Sequence, residues 1–166
     1  MVGKGGFGTV LKGTYKTEEV AVKVFYNTPW AEIQRTKPRQ LEEILKEFEL
    51  TSTLKHRNII QVFGCILYGG DGYFGIVMEL ANGGTLKLMI PKQEFRADVG
   101  MQYEVLLGVA KALRYIHRKK VMHRDVKPDN ILIFKLRRGL IVPKIADLGE
   151  GRVSRKVYYW ILFLKN

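Results

Sequence analysis

The stretch VMHRDVKPDNIL, residues 121–132, constrains this chain more than any other. It places Asp125 in a polar loop between two short apolar segments, with Lys127 two residues later and Asn130 five residues later. A carboxylate, an ammonium and an amide held in one turn can accept a hydroxyl proton, neutralise phosphate charge and bind a divalent cation. Because this spacing rarely arises by chance, the stretch predicts a catalytic loop.

The N-terminal segment GKGGFG carries Gly3, Gly5 and Gly8 in the pattern G-x-G-x-x-G. Dinucleotide-binding folds share this pattern, but they place a strand before it and a helix after it. Here the strand-like TVLKGTY follows, which favours a hairpin tip whose backbone closes over phosphates while Val10 presses on a base. A plain glycine-rich turn is the alternative interpretation.

The segment VAVKVF predicts a strand with Ala21, Lys23 and Phe25 on one face. An ammonium that points inward from such a strand needs an anion, because burying it unpaired is costly. The candidates are a nucleotide phosphate and the carboxylate of Glu47, which borders the apolar stripe of the helix predicted over RQLEEILKEFELTSTLKH. The alternatives are a lysine at a sheet edge and a solvated glutamate.

Hydrophobic periodicity divides the chain into two parts. The first part predicts a five-stranded sheet with one long helix, and the segment ANGGTL then breaks the pattern like a hinge. Beyond it, MQYEVLLGVAKALRYIHRK predicts an amphipathic helix with Leu106, Val109, Ala110, Leu113 and Ile116 on its apolar face. We therefore expect an α+β fold with a sheet-rich N-terminal lobe at 1–81, a partial helical lobe at 82–151 and an atypical apolar tail at 152–166.

Charge and cysteine content narrow the environment. The formal charge of +12 permits a nucleic-acid-binding protein as an alternative hypothesis, although a solvated basic surface is the favoured explanation. Cys65 lies in an apolar, β-branched stretch and is expected to pack as a small hydrophobe. A single cysteine fits a reducing, cytoplasmic location, and no apolar run approaches the roughly 20 residues that span a bilayer. We expect neither a nucleic-acid nor a membrane partner.

Taken in order, the glycine loop, Lys23, the VMHRDVKPDNIL loop and the Asp147-Leu148-Gly149 motif resemble the eukaryotic protein kinases. The resemblance runs from Gly3 to about Gly151. It implies a two-lobe fold with a small β-sheet lobe, one long helix and an incomplete helical lobe. It also implies an ATP-dependent serine/threonine protein kinase that transfers the γ-phosphate of MgATP to protein hydroxyls. Lys127 after HRDV is typical of members directed at serine and threonine, and the overall pattern resembles the tyrosine-kinase-like branch.

The same resemblance implies a role for each matching residue. Asp125 would be the catalytic base and Lys127 the γ-phosphate lysine, while Lys23 would bind phosphate and pair with Glu47. Mg²⁺ would be held by Asn130 and Asp147. Met78 would gate the adenine pocket, and Glu79 to Ala81 would form the hinge that hydrogen-bonds adenine. The ATP-contacting positions are Gly3, Lys4, Gly5, Gly6, Phe7, Gly8, Val10, Ala21, Lys23, Met78, Glu79, Ala81 and Leu132.

Three departures from the family pattern carry consequences. Leu148 stands where most members have phenylalanine, and Thr51 stands where an apolar residue normally stacks between helix and strand. No Ala-Pro-Glu-like segment follows Gly151. The last departure supports a second hypothesis, a nucleotide-binding pseudokinase-like or scaffold fragment that binds ATP without phosphotransfer. It also predicts an apolar face on the helical lobe that a partner chain would cover.

Overall fold

The computed structural model describes residues 3–5, 8–26, 35–36, 38–68, 73–148 and 152–153. The chain divides into two compact units. The N-terminal unit comprises residues 1–55 and 60–81, and the C-terminal unit comprises residues 56–59 and 82–166. The short segment 56–59 therefore belongs to the second unit although it lies inside the first in sequence.

The N-terminal unit contains a five-stranded antiparallel sheet, as the sequence predicted. Its strands are β1 (Gly3–Gly5), β2 (Gly8–Tyr15), β3 (Glu18–Tyr26), β4 (Val62–Tyr68) and β5 (Tyr73–Glu79), in the order β1-β2-β3-β5-β4. Residue Tyr15 pairs with Glu18, so β2 and β3 are joined by a tight turn in which Lys16 has a φ of 55°. Such a turn matches the right-handed twist of the strands it connects.

A long helix, α1 (Pro38–Thr53), packs on this sheet. Apolar side chains recur on it three and four residues apart, which places them on one helix face. One buried cluster joins that face to the strands; it consists of Phe25, Ile44 and Ile76, with Leu45, Phe48, Val62 and Met78 packed against it. The apolar stripe of α1 therefore positions the helix against β3, β4 and β5.

The expectation for Cys65 is wrong, because its side chain is exposed. Cys65 lies on β4, which is the last strand in the order of this sheet. A residue on an edge strand has a neighbouring strand on one side only, so less surface is available to cover it. Local apolar composition does not reveal whether a strand lies at the edge or in the centre.

The C-terminal unit combines helices with two small sheets. The helices are α2 (Leu86–Met89), α3 (Gln93–Ala97) and α4 (Val99–Arg118). The strands are β6 (Val121–Met122), β7 (Ile131–Lys135), β8 (Ile141–Ile145) and β9 (Arg152–Val153), with β6 paired to β9 and β7 paired to β8. The core is formed by Leu86, Met89, Val105, Ile131, Ile133 and Ile141. Within the residues that the structure describes, no helix combines the length and apolarity needed to cross a bilayer.

The predicted apolar face of α4 is only partly correct. The fully buried positions are Val105, Gly108, Ala112 and Ile116, whereas Leu106 is 70% exposed and Ala110 is also exposed. A Cβ atom on Gly108 would lie 2.4 Å from the ring of Pro143, so β8 approaches the helix at the glycine. Because of this close approach, the buried face of α4 includes Gly108. Hydrophobicity patterns do not count glycine as an apolar residue, so they did not predict this position.

Candidate active site

In the N-terminal unit, the lysine and glutamate that the sequence singled out form an ion pair. The Nζ atom of Lys23 on β3 lies 3.0 Å from Oε1 of Glu47 on α1, and both side chains are mostly buried, with exposed fractions of 13% and 11%. The Lys23 ammonium also lies 5.0 Å from the centre of the Phe25 ring. The packing of α1 on the sheet therefore brings the expected carboxylate to the inward-facing ammonium.

The strand register collects the predicted apolar ATP contacts on the sheet face that carries Lys23. Val10 pairs directly with Lys23, and Ala21 pairs directly with Met78. Directly paired residues point to the same side of a sheet, and alternate residues along one strand share a side. Val10, Ala21 and Met78 thus share one face with the lysine.

The predicted hinge begins at Glu79, the last residue of β5, and two hydrogen bonds hold this residue against Gln61. The backbone N–H of Gln61 donates to Oε1 of Glu79 at 2.7 Å, and the backbone N–H of Glu79 donates to the Gln61 carbonyl at 3.0 Å. Ala81, two residues after Glu79, is half-buried. The proposed hinge positions are therefore anchored at their N-terminal end.

The glycine-rich segment forms a hairpin in the described residues. Gly3 pairs with Val10, Lys4 with Thr9 and Gly5 with Gly8. The strand β2 follows the pattern directly, where a dinucleotide-binding fold would have a helix. Gly6 and Phe7, also predicted to contact ATP, lie outside the residues that the structure describes.

In the C-terminal unit, the predicted catalytic loop is a closed hydrogen-bond network. Lys127 Nζ donates to Asp125 Oδ2 at 2.6 Å. The side-chain Nδ2 of Asn130 donates to the carbonyl oxygen and to Oδ2 of Asp125, each at 2.9 Å, and Asn130 is buried. The three residues that the sequence placed within one turn are therefore in direct contact.

His123 has a role that the sequence analysis did not assign. Its Nδ1 accepts a hydrogen bond from the backbone N–H of Asp125 at 3.3 Å, so its Nε2–H donates to the Ala146 carbonyl at 3.1 Å. The imidazole is 1% exposed. It thus connects the loop that carries Asp125 to the residue before Asp147. The sequence cue that could have identified it was its position two residues before Asp125, directly after an apolar pair.

The end of the β7–β8 hairpin brings the two predicted metal ligands next to each other. Ile131 pairs with Ile145, and the N–H of Ala146 donates to the Asn130 carbonyl at 2.8 Å. Asp147 follows with a φ of 62°, a left-handed conformation that aspartate tolerates better than most residues and that concentrates at functional sites. Leu148 is 1% exposed, so the apolar residue of this motif is buried.

Electrostatics set the charge state of the loop. The hydrogen bond from Lys127, with a smaller contribution from Asn130, lowers the pKa of Asp125, and the same bond raises the pKa of Lys127. Burial lowers the pKa of His123, although its hydrogen bond to Ala146 and the nearby Asp147 and Asp125 act in the opposite direction. At neutral pH the loop therefore presents an ionised carboxylate, an ammonium and a neutral imidazole.

Leu132, the remaining predicted ATP contact, lies on β7 and forms a β-bridge with Thr85. It is half-buried. Of the predicted tail at 152–166, only Arg152 and Val153 are described, and the remainder lies outside the described residues. Within each unit, most of the predicted site residues that the structure describes are therefore connected by strand pairing, hydrogen bonds or an ion pair.

Comparison with known proteins matches this chain to protein kinases. A family model described as protein kinase domain matches residues 1–158. The probable serine/threonine-protein kinase gdt2 of Dictyostelium discoideum is 30% identical over 158 residues, which cover 95% of this chain and 9% of that protein. A probable LRR receptor-like serine/threonine-protein kinase of Arabidopsis thaliana is 33% identical over 157 residues, which cover 92% of this chain and 14% of the relative. The chain thus spans a small part of the length of these relatives.

Proposed function

The chain belongs to the protein kinase domain family, and on that premise we propose that it binds MgATP and transfers the γ-phosphate to serine or threonine hydroxyls of a protein substrate. The observation that carries this proposal is the network in which Lys127 and Asn130 both hydrogen-bond the carboxylate of Asp125. The relatives named above are serine/threonine-protein kinases, which supports the same substrate class. A cytoplasmic location and a partner chain covering the helical lobe stay predictions.

Asp125 is suited to receive the substrate hydroxyl. Its lowered pKa keeps the carboxylate ionised, and its two hydrogen-bond donors hold it in one orientation. In the transfer step, the hydroxyl oxygen bonds to the γ-phosphorus, the bond from that phosphorus to the bridging oxygen breaks, and ADP leaves with the bridging oxygen. The hydroxyl proton passes to the Asp125 carboxylate.

The two lysines would neutralise phosphate charge. Lys127 lies beside Asp125, so its ammonium would lie near the transferred group. Lys23 is oriented by Glu47 on the sheet face that also carries Val10, Ala21 and Met78. Because these groups are positioned before the reaction, little reorganisation energy is needed when charge develops.

The remaining donors fit a magnesium ion. The Nδ2 of Asn130 is committed to Asp125, so the amide presents its Oδ1 as a ligand, and Asp147 adds a carboxylate. These are the hard oxygen donors that Mg²⁺ prefers, with phosphate oxygens as further ligands. When bound, the ion would supply positive charge to the phosphate oxygens.

Phosphate transfer from radiolabelled ATP to a generic basic protein tests the proposal. Asp125→Asn should lower the rate at least about 100-fold, since preorganised groups of this kind typically contribute that much. Asp129→Asn is the matched control, because it makes the same chemical change in the same loop at an exposed residue that pairs with Lys87. It should leave the rate within about twofold, as expected for an exposed ion pair.

Equilibrium binding of MgATP to wild type and to both variants separates the two hypotheses for this chain, a kinase and a nucleotide-binding module without phosphotransfer. Binding by wild type together with a rate that depends on Asp125 supports a kinase. Equal rates for wild type and Asp125→Asn would refute the assignment of the catalytic base. Binding of MgATP with no transfer by wild type would instead support the nucleotide-binding module without phosphotransfer.

A further inference from the structure

A basic groove lies on the C-terminal unit, and none of its residues belongs to the proposed catalytic machinery. The groove has a volume of about 520 Å³. Its lining combines one end of α4 with the segment that precedes β4, and it consists of His56, Lys111, Arg114, Tyr115, Arg118 and Lys119. No acidic side chain lines it.

Four cations face this groove without an acidic counterpart. Lys111, Arg114, Arg118 and Lys119 are exposed, and none of them forms an ion pair with the acidic residues of the described part of the chain. Residues three and seven positions apart lie on one face of a helix. At about 1.5 Å per residue, the row from Lys111 to Arg118 is about 10 Å long. The result is a linear array of positive charge.

The floor of the groove is an aromatic pair. The rings of His56 and Tyr115 stack with centroids 5.0 Å apart, and Lys119 lies over the Tyr115 ring at 5.4 Å. The N–H of Asn58 donates to His56 Nδ1 at 3.0 Å, so His56 carries its own proton on Nε2 and can donate there. Burial, and to a smaller extent the charge of Lys111, lower the pKa of His56.

We propose that this groove binds an acidic peptide segment of a partner protein in an extended conformation. An extended chain advances about 3.3 Å per residue, so the row of cations spans about three to four residues. Alternate side chains of such a segment point to one side and are about 6.6 Å apart, which would place two successive carboxylates along the row of Lys111, Arg114 and Arg118. A nucleic acid fits less well, because base stacking needs an accessible aromatic face and the Tyr115 ring already contacts His56 and Lys119.

The test is fluorescence anisotropy with a labelled peptide of alternating glutamate and glycine. The same peptide with glutamine in place of glutamate is the neutral probe. Wild type should bind the acidic peptide, and the affinity should weaken as salt rises toward about 0.15 M. The variant Lys111→Gln/Arg114→Gln/Arg118→Gln should bind roughly tenfold more weakly, since three exposed charge pairs are lost.

A matched control removes the same charge elsewhere. Arg96→Gln/Lys135→Gln/Arg137→Gln changes three cations that are exposed in the C-terminal unit and do not line the groove. It should bind the acidic peptide within about twofold of wild type. Circular dichroism and thermal melting of both triple variants establish that each is folded before affinities are compared.

Four results would overturn the proposal. The first is absence of binding by folded wild type at low salt. The second is equal weakening in the two triple variants, which would indicate a response to net charge alone. The third is equal binding of the glutamine peptide. The fourth is tighter, groove-dependent binding of a single-stranded DNA oligonucleotide, which would assign the groove to nucleic acid. Because the assay contains no ATP, its outcome is independent of the proposed phosphotransfer.

Discussion

Thr51 gives a direct test of how the last turns of α1 pack. The residue is 5% exposed, and its Oγ1 is buried without a hydrogen-bond partner in the part of the chain that the structure describes. The two hydroxyls that follow behave differently, since Ser52 and Thr53 donate to the carbonyls of Glu49 and Leu50 at 2.9 and 2.8 Å. Replacing the Thr51 hydroxyl by a methyl group, as in Thr51→Val, keeps the shape of the side chain and removes the unsatisfied group.

The expected effect of Thr51→Val is stabilisation. A buried hydroxyl without a partner costs about 1–3 kcal/mol, and a buried methyl group in its place avoids this cost. The free energy of unfolding should therefore rise by about 1–3 kcal/mol. For a chain of this size, each kcal/mol corresponds to roughly 2–4 °C in melting temperature.

Urea unfolding followed by circular dichroism measures this change. The slope of the free energy against urea should be the same in both proteins, so that the shift in midpoint reports stability. Thr53→Val is the matched control, because Thr53 is exposed and its hydroxyl is hydrogen-bonded. It should be neutral or slightly destabilising. A Thr51→Val protein that is no more stable than wild type would show that the hydroxyl is satisfied in solution, and our reading of this site would be wrong.

Three further substitutions test burial and packing elsewhere in the chain. Burial lowers the pKa of His123 below its ordinary 6.5, so just below that pH the unfolded chain binds a proton that the folded imidazole does not. The free energy of unfolding should therefore fall as pH drops below about 6.5, by at most about 1.4 kcal/mol per pH unit. In unfolding measured across that range, His123→Gln should reduce the slope of stability against pH. A slope equal to that of wild type would contradict the assignment. Glu47→Gln should lower the free energy of unfolding by roughly 1–3 kcal/mol, because it removes the negative charge that Glu47 places 3.0 Å from the mostly buried Lys23 ammonium. An unchanged midpoint would show that the pair contributes little. Gly108→Ala should lower the free energy of unfolding by about 1–3 kcal/mol, because its Cβ would meet the ring of the proline on β8 at 2.4 Å. In the control Gly64→Ala, the new Cβ has nothing within 4 Å, so the protein should tolerate it. Equal stability of the two variants would refute the close approach at Gly108.

Part of the site could be predicted because its residues are close in sequence. The contacts among Asp125, Lys127 and Asn130 lie within one turn, where spacing alone limits the possible geometry. The shared face of Ala21 and Lys23 follows from the alternation of side chains along a strand. Local rules of backbone geometry were sufficient for these features.

Other features required contacts between distant segments. His123 is a connecting residue because its ring reaches Ala146, and no local pattern encodes that partner. The buried stripe of α4 depends on Pro143, which packs against Gly108, and on Asn58, whose side chain donates to the Pro143 carbonyl at 2.8 Å. Periodicity predicted the helix correctly and part of its buried face incorrectly, because it weights apolar side chains and ignores the space that a glycine opens.

Residue identity, spacing and backbone periodicity were sufficient to predict the family, the sheet and long helix of the N-terminal unit, and the chemical groups of the loop that carries Asp125. Tertiary packing instead sets which side of α4 is buried and that Cys65 is exposed, and it leaves the Thr51 hydroxyl buried with no partner among the described residues. Burial and hydrogen bonding are set by what the rest of the chain brings against a residue. They therefore follow from the folded arrangement of segments that are far apart in sequence.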